Sequence, residues 1–317
     1  MLQRKAVLAN VHILPDEHAL GPLARLFLYS SYRSMPDTVS SITQDSYALT
    51  PGVIWRQSYS DVHKQWCSEA SLDNFAREHS LFNFYRPFLP EKHAFCVKSN
   101  QRLSAPSVRV VRYTNTWRYC SECAKEDIET HGFPYFHVAH QLPGTTFCHE
   151  HGTLLRSGCL ACGSDWQKLG ILLAPPSNDI CDNCCSAIEI VEQFRDDDVK
   201  WIQHMSYRLL HGDYKHLTLT QLQSAYRQWL GIGPRQGVLN IKERSIVQDA
   251  QHHIDNAFDP RFYRLFITNT DERPDKKRSV ALSLYQAAFS EGKLISPIIH
   301  LMLIRVMFGE LSNIPKI

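Results

Sequence analysis

Eight residues carry the chemistry that this sequence advertises. Cys120 and Cys123 are separated by two residues, as are Cys148 and His151, Cys159 and Cys162, and Cys181 and Cys184. A two-residue gap lets a tight turn aim both side chains at one ion. Thiolates with or without an imidazole make a tetrahedral donor set that suits zinc. The first two pairs give a Cys₃His set. The last two, with eighteen intervening residues between them, give a Cys₄ set. His149 competes with His151 in the first set. It directly follows Cys148, and adjacent residues rarely point at one ion, so His151 is the expected ligand. Gly158 and Gly163 flank the Cys159–Cys162 knuckle, where a tight turn needs conformational freedom. Cys185, beside Cys184, reads as a bystander, and the isolated Cys67 and Cys96 read as core thiols.

Ten cysteines in 317 residues could also mean disulfides. Their paired spacing argues instead for metal in a reducing compartment. A catalytic zinc keeps three protein ligands and an open position for water. Each set here offers four donors, which closes it. The sequence contains neither a metalloprotease helix motif, nor a deaminase H-x-E with P-C-x-x-C, nor a glycine-rich phosphate loop. Two structural Zn²⁺ ions are therefore expected, stapling a segment too poor in apolar residues to fold alone, and no enzymatic activity is expected. His137 and His140 lie between the ligand pairs. With both sets full, they read as polar core or hydrogen-bonding residues.

The elements that must position these residues point to a mainly α protein with small zinc-ribbon or zinc-knuckle modules. Helix-turn-helix-like units are expected to flank the two zinc sites. Composition is ordinary for a globular protein, 44% hydrophobic and 21% charged. The expected division is an N-terminal helical domain over 1–107, a double zinc-binding module over 108–194 and a C-terminal helical domain over 195–317. Asp16 and Glu17 precede Leu20, Leu23, Leu26 and Phe27, predicting a helix with acidic residues in its first turn. Ser71 predicts the cap of a helix reaching His79. The aromatic run from Leu81 to Phe88 reads as core. Arg195-Asp196-Asp197-Asp198 marks the exit from the cysteine region. Thr218 to Gln221 has capping-box spacing, with Leu219, Leu222, Tyr226 and Trp229 on one helical face. Gly231-Ile232-Gly233-Pro234 stops that helix, and another runs from Ile241 to Asn256. Ser296-Pro297 opens a helix to Phe308 that is apolar nearly all round, so it must be buried or meet a partner.

The net charge of +2 does not announce a nucleic-acid binder, so any such footprint must be local. Two segments qualify, 207–244 and 261–317, each with a net charge of +4. Candidate phosphate contacts are Lys215, Arg227, Arg235, Lys242, Arg244, Arg273, Lys276, Lys277 and Arg278. The helices on either side of Gly231 are compatible with a helix-turn-helix. The first ten residues carry Arg4 and Lys5 but no long apolar stretch, and Ile295–Phe308 is too short to span a bilayer. A cytoplasmic protein with no membrane association is expected.

Several motifs together resemble the core of the TniQ/TnsD family. They are Arg118-Tyr119-Cys120-Ser121-Glu122-Cys123, Gly132-Phe133-Pro134-Tyr135-Phe136-His137, His140-Gln141-Leu142-Pro143-Gly144 and Cys148-His149-Glu150-His151-Gly152. The family pattern runs R-Y-C-P-x-C, G-x-x-[YF]-[WF]-H, H-x-L-P-G and C-x-x-H-G, with Ser121 standing where proline is usual. Pro15-Asp16-Glu17 and the leucine-rich stretch after it are similar to the family's opening. Glu78 to Phe88 resembles an H-T-L-F-P-x-Y-x-P-F segment of the TnsD branch, and Ser296 to Ile304 more loosely resembles H-P-L-R-H-L-L-L-I. The resemblance implies a non-enzymatic target-selection adaptor for DNA transposition. TnsD-type members bind double-stranded DNA at an attachment site, and TniQ-type members ride on a CRISPR effector complex. Both recruit a TnsC-type AAA+ ATPase. TnsD-type members are usually much longer, with further C-terminal DNA-reading domains, which this sequence either lacks or ends before. The competing classes are a zinc-finger transcription regulator and a zinc-dependent nuclease or hydrolase.

Overall fold

The computed structural model describes residues 11–45, 49–106, 111–112, 115–190, 193–233, 238–267 and 282–315. They form two compact units. The first comprises Met1–Asn83, Phe95–Ala105 and Tyr113–Gln193; the second comprises Phe84–Ala94, Pro106–Arg112 and Phe194–Ile317. The fold is mainly helical, with short two-residue and three-residue strands.

In the first unit, α1 (Gly21–Tyr29), α2 (Met35–Ile42), α3 (Gln57–Trp66) and α4 (Leu72–His79) pack each on the next. Ser71 caps α4 by accepting from Asn74 N at 3.2 Å. Leu20, Leu23 and Leu26 are buried as the pattern required. The helix nevertheless starts later than expected, with Pro22 in its first turn and no acidic residue there. Asp16 has φ 53°. Glu17 is fully buried and pairs with Arg25 at 2.6 Å, so a side chain rather than the helix dipole satisfies its charge. β1 (Val53–Trp55) pairs antiparallel with β2 (Leu103–Ser104). Trp55, Tyr59, Phe75, Trp117 and Tyr119 fill the core. Helix α5 (Ser121–His131) and the hairpin of β3 (Gly158–Cys159) and β4 (Ser164–Asp165) carry the cysteine clusters.

The second unit holds α6 (Asp197–Leu210), α7 (Leu219–Trp229), α8 (Ile241–Asp255), α9 (Pro260–Phe266), α10 (Leu284–Phe289) and α11 (Pro297–Phe308). The acidic patch is the start of α6: Asp196 accepts from Val199 N at 2.8 Å, and Asp197 and Asp198 occupy the first turn. Capping boxes open α7 (Thr218 with Gln221) and α8 (Asn240 with Glu243). Helix α11 packs on α6, and Ile298 to Ile304 are all buried, which accounts for its apolar circumference. Arg305 reaches back to Asp198 at 2.8 Å and lies over the Trp201 ring. His300 is stacked between Phe88 and Tyr226, with ring centroids 5.0 and 6.0 Å away. Residues 230–240 join α7 to α8, a longer link than the turn of a simple helix-turn-helix. No helix among the described residues is long and apolar enough to cross a membrane.

Candidate metal centres

Each cysteine cluster is assembled from two short backbone turns. Tyr119 pairs with Arg156 through two backbone hydrogen bonds of 3.2 and 2.9 Å, which sets Cys120 at the mouth of α5. The first turn of α5 then brings Cys123 back beside it. The second knuckle is a tight hairpin in which Cys148 N donates to Thr153 O at 2.7 Å and Gly152 N donates to Cys148 O at 2.9 Å. Gly152 has φ 65°, a conformation that the chain needs in order to turn directly after His151.

The donor atoms of Cys120, Cys123, Cys148 and His151 lie within 4.8 Å of one another. His151 Nδ1 is 3.6 Å from Cys120 Sγ, 3.3 Å from Cys123 Sγ and 3.7 Å from Cys148 Sγ, and the Cys123 and Cys148 sulfurs are 3.6 Å apart. Zinc bonds of about 2.3 Å to sulfur and about 2.0 Å to nitrogen put tetrahedral donors roughly 3.5–3.8 Å apart. The donor set and its spacing therefore fit zinc. All three thiols are buried with Leu155. Cys148 is pushed up to about 11 by its hydrogen bond to Cys120, with burial adding to the shift. Cys123 is pushed up by its hydrogen bonds to both neighbouring thiols and by burial. A divalent cation removes that conflict by stabilising all three thiolates together.

The surroundings orient these donors. Glu126 Oε1 lies 3.0 Å from His151 Nε2, leaving Nδ1 to face the sulfurs. Thr153 Oγ1 lies 3.1 Å from Cys120 Sγ. Arg118, fully buried, donates to Thr145 O and, at 2.6 Å, to Leu142 O. Gln141 accepts from Arg118 N at 3.0 Å and donates to Arg118 O at 2.8 Å. The arginine of the R-Y-C motif and the H-Q-L-P-G motif are thus one hydrogen-bonded assembly behind the cluster. His137 bridges Asp127 of α5, at 3.1 Å, and Asp16, at 3.5 Å, and stacks on Tyr135. Burial works against its charged form, but the bonds to Asp127 and Asp16 win and hold its pKa up at about 9. Glu126, Thr153, Asp127 and Asp16 were not recognisable as partners. Carboxylates and hydroxyls are common, and only the folded geometry selects these.

The second cluster brings Cys159, Cys162, Cys181 and Cys184 within 4.8 Å of one another. Cys159 Sγ is 3.7 Å from Cys184 Sγ, and Cys162 Sγ is 3.8 Å from Cys181 Sγ. Gly163 turns the β3–β4 hairpin with φ 68°. Cys181 N donates to Ser186 O at 2.9 Å, and Cys185 N to Cys181 O at 2.8 Å. Asn183 donates to Cys162 Sγ at 3.5 Å and pulls that thiol down to about 6. Four sulfurs at this spacing also fit zinc. None of the ten cysteines forms a disulfide; Cys185 is exposed, Cys96 buried and Cys67 half-buried.

Four of the nine basic residues singled out by sequence lie among the described residues. Lys215, Lys242 and Arg244 are exposed, the last donating from Nε to Leu239 O at 3.0 Å. Arg227 is half-buried and donates to Ala288 O at 3.2 Å and Ser224 Oγ at 3.0 Å. Arg235, Arg273, Lys276, Lys277 and Arg278 lie outside the described residues.

The mainly helical protein thus carries two sulfur-rich donor sets, each of which could hold a metal ion. Residues 9–155 match the sequence model of the TniQ family. The match takes in Cys120, Cys123, Cys148 and His151, and it ends before Cys159. The family is one of non-catalytic, DNA-binding adaptors associated with transposition. No curated protein matches the sequence.

Proposed function

We propose that this protein is a target-selection adaptor for DNA transposition that binds target DNA and recruits a TnsC-type AAA+ ATPase. The observation that carries the reading is the TniQ match over residues 9–155 with a complete Cys₃His donor set inside it. Cys120, Cys123, Cys148 and His151 would hold one zinc, and Cys159, Cys162, Cys181 and Cys184 a second. Bound zinc would supply cross-linking energy to a segment with little regular structure of its own. With four protein donors each, both sites leave no position for a reactive water, which supports a role without catalysis. A location in the cytoplasm, on the nucleoid when DNA is bound, follows from that role. A CRISPR effector complex is the alternative carrier to the target.

DNA contact is assigned to the basic residues of the C-terminal segments. Lys215, Lys242 and Arg244 offer exposed charge, and Arg235, Arg273, Lys276, Lys277 and Arg278 add more by sequence. Arg227, already engaged with Ala288 and Ser224, would contribute only after giving up those bonds. Lysine and arginine in this setting would mainly neutralise phosphates. The test is a salt titration of DNA affinity with Lys276, Lys277 and Arg278 changed to Ala. The variant should lose affinity similarly on all sequences, with a log–log salt slope shallower by roughly three. It should still retain the ATPase in pull-downs without DNA. Wild-type affinity and slope in the variant would remove this DNA-binding assignment. Failure of the native protein to retain any TnsC-type ATPase would remove the recruiting role.

A further inference from the structure

The first centre has more donors than a tetrahedral ion needs. His140 Nε2 lies 3.5 Å from Cys148 Sγ and 3.8 Å from Cys123 Sγ. Those distances match the 3.7 and 3.3 Å from His151 Nδ1 to the same two sulfurs. Both imidazoles therefore stand at ligand spacing from one edge of the cluster, where nitrogen and sulfur donors of one zinc lie roughly 3.5 Å apart.

The two rings live in different surroundings. His151 faces outward, with 22% of its side chain exposed, and its far nitrogen is held by Glu126, itself 65% exposed. A partner that competes for Glu126 or His151 can reach them. His140 is 1% exposed, and its far nitrogen, Nδ1, is buried without a hydrogen-bond partner. A buried imidazole nitrogen left unpaired is destabilising. The neighbouring Gln141 and Leu142 are pinned by Arg118, so the His140 ring is fixed against the thiols. Among the described residues, Cys148 and His149 bring donor atoms within 4.8 Å of the one that His140 offers.

We propose that His140 is a reserve ligand of the first centre. If His151 were withdrawn, its Nδ1 would leave the metal and His140 Nε2 would supply the fourth donor in its place. The set becomes Cys120, Cys123, Cys148 and His140. One neutral imidazole replaces another, with the His140 proton on Nδ1, so charge is conserved and no water enters the site. The inference rests on the reading that this cluster holds zinc.

The experiment uses the full-length protein with His151→Ala, His140→Ala and the double substitution. Zinc content is measured by mass spectrometry, and Co²⁺-substituted protein is followed by its visible and charge-transfer absorption. His151→Ala should keep as much metal as the wild type and retain the three-sulfur, one-nitrogen spectrum. His140→Ala should do the same through His151. The double variant should lose about one metal per chain, or release it to a chelator roughly tenfold to a hundredfold faster. The proposal is overturned if His151→Ala loses the metal as fully as Cys123→Ser does, or takes on a three-sulfur, one-oxygen spectrum. If the double variant does not fold, the His151→Ala spectrum alone decides. Wild-type protein with no zinc at this centre would instead refute the zinc reading, which separates the two failures.

Discussion

The two centres use the same donor chemistry in unlike settings. In the first, Cys120, Cys123 and Cys148 are buried, and layers of polar side chains stand behind them: Glu126 on His151, the Arg118–Gln141 assembly, and His137 between Asp16 and Asp127. In the second, Cys162 is exposed, and the four sulfurs sit on a two-strand hairpin and a turn, with Asn183 bonded to one of them. The first lies within the segment that matches the TniQ model and ties Asp16 to residues more than a hundred positions later. The second closes a loop of neighbouring sequence. Position in the hydrogen-bond network, more than ligand count, decides how much of the fold depends on a metal.

The largest expected effect separates the centres directly. Cys123→Ser should remove about one zinc and unfold much of the first unit, because structural zinc contributes on the order of 10 kcal/mol or more to such folds. Cys162→Ser should also remove about one zinc but move the thermal midpoint much less. Metal analysis with thermal unfolding measures both. The contrast breaks if Cys162→Ser is the more damaging change.

Arg118→Leu comes next. It leaves the carbonyls of Leu142 and Thr145 without their charged donor in a buried site. The expected loss is about 3 kcal/mol in denaturant unfolding, since hydrogen bonds to charged groups contribute roughly 1.5–3 kcal/mol each. Zinc at the second centre should be unaffected. A loss within experimental error would mean that the assembly does not support the first centre.

The smallest effect is in pH dependence. His137 holds its proton up to about pH 9 in the folded protein, above its ordinary value of 6.5. Its stabilisation is complete below about pH 6.5 and falls away as pH rises through about 9. Unfolding free energy should therefore decline by about 2 kcal/mol over that window, beyond any slope shared with Asp127→Asn, in which the charged partner is gone. Parallel pH profiles for the two proteins would remove His137 from the account.

Much of the first centre was legible because ligand spacing is local: two residues between donors constrain a turn wherever the chain goes. The four donors of each cluster came from that spacing alone. Capping residues were legible for the same reason, as with Ser71, Thr218 and Ser296-Pro297, although the Ser296 side chain makes no cap bond. The start of α1 was misread because Glu17 looked like a first-turn acid. Its true partner, Arg25, lies on the helix that follows and is chosen by burial. The acid run at Asp196 to Asp198 was taken for an exit marker when it was a helix start; the capping spacing to Val199 was the overlooked signal. His137 fitted the hydrogen-bonding role expected of it, but its partners Asp16 and Asp127 are 121 and 10 positions away and only the fold brings them together. His140 drew the same bland expectation, and its approach to two thiols depends on the Arg118 assembly, which no spacing rule encodes.

Both clusters are proposed to be closed zinc centres of an adaptor scaffold. The most direct test is X-ray absorption at the zinc edge on the purified native protein, with metal content from mass spectrometry. The account predicts two zinc ions per chain, one for each cluster, with an average first shell of sulfur and a minor nitrogen contribution and no bound water. A single zinc per chain, iron with cluster-type visible absorbance, or an oxygen ligand in the shell would contradict it.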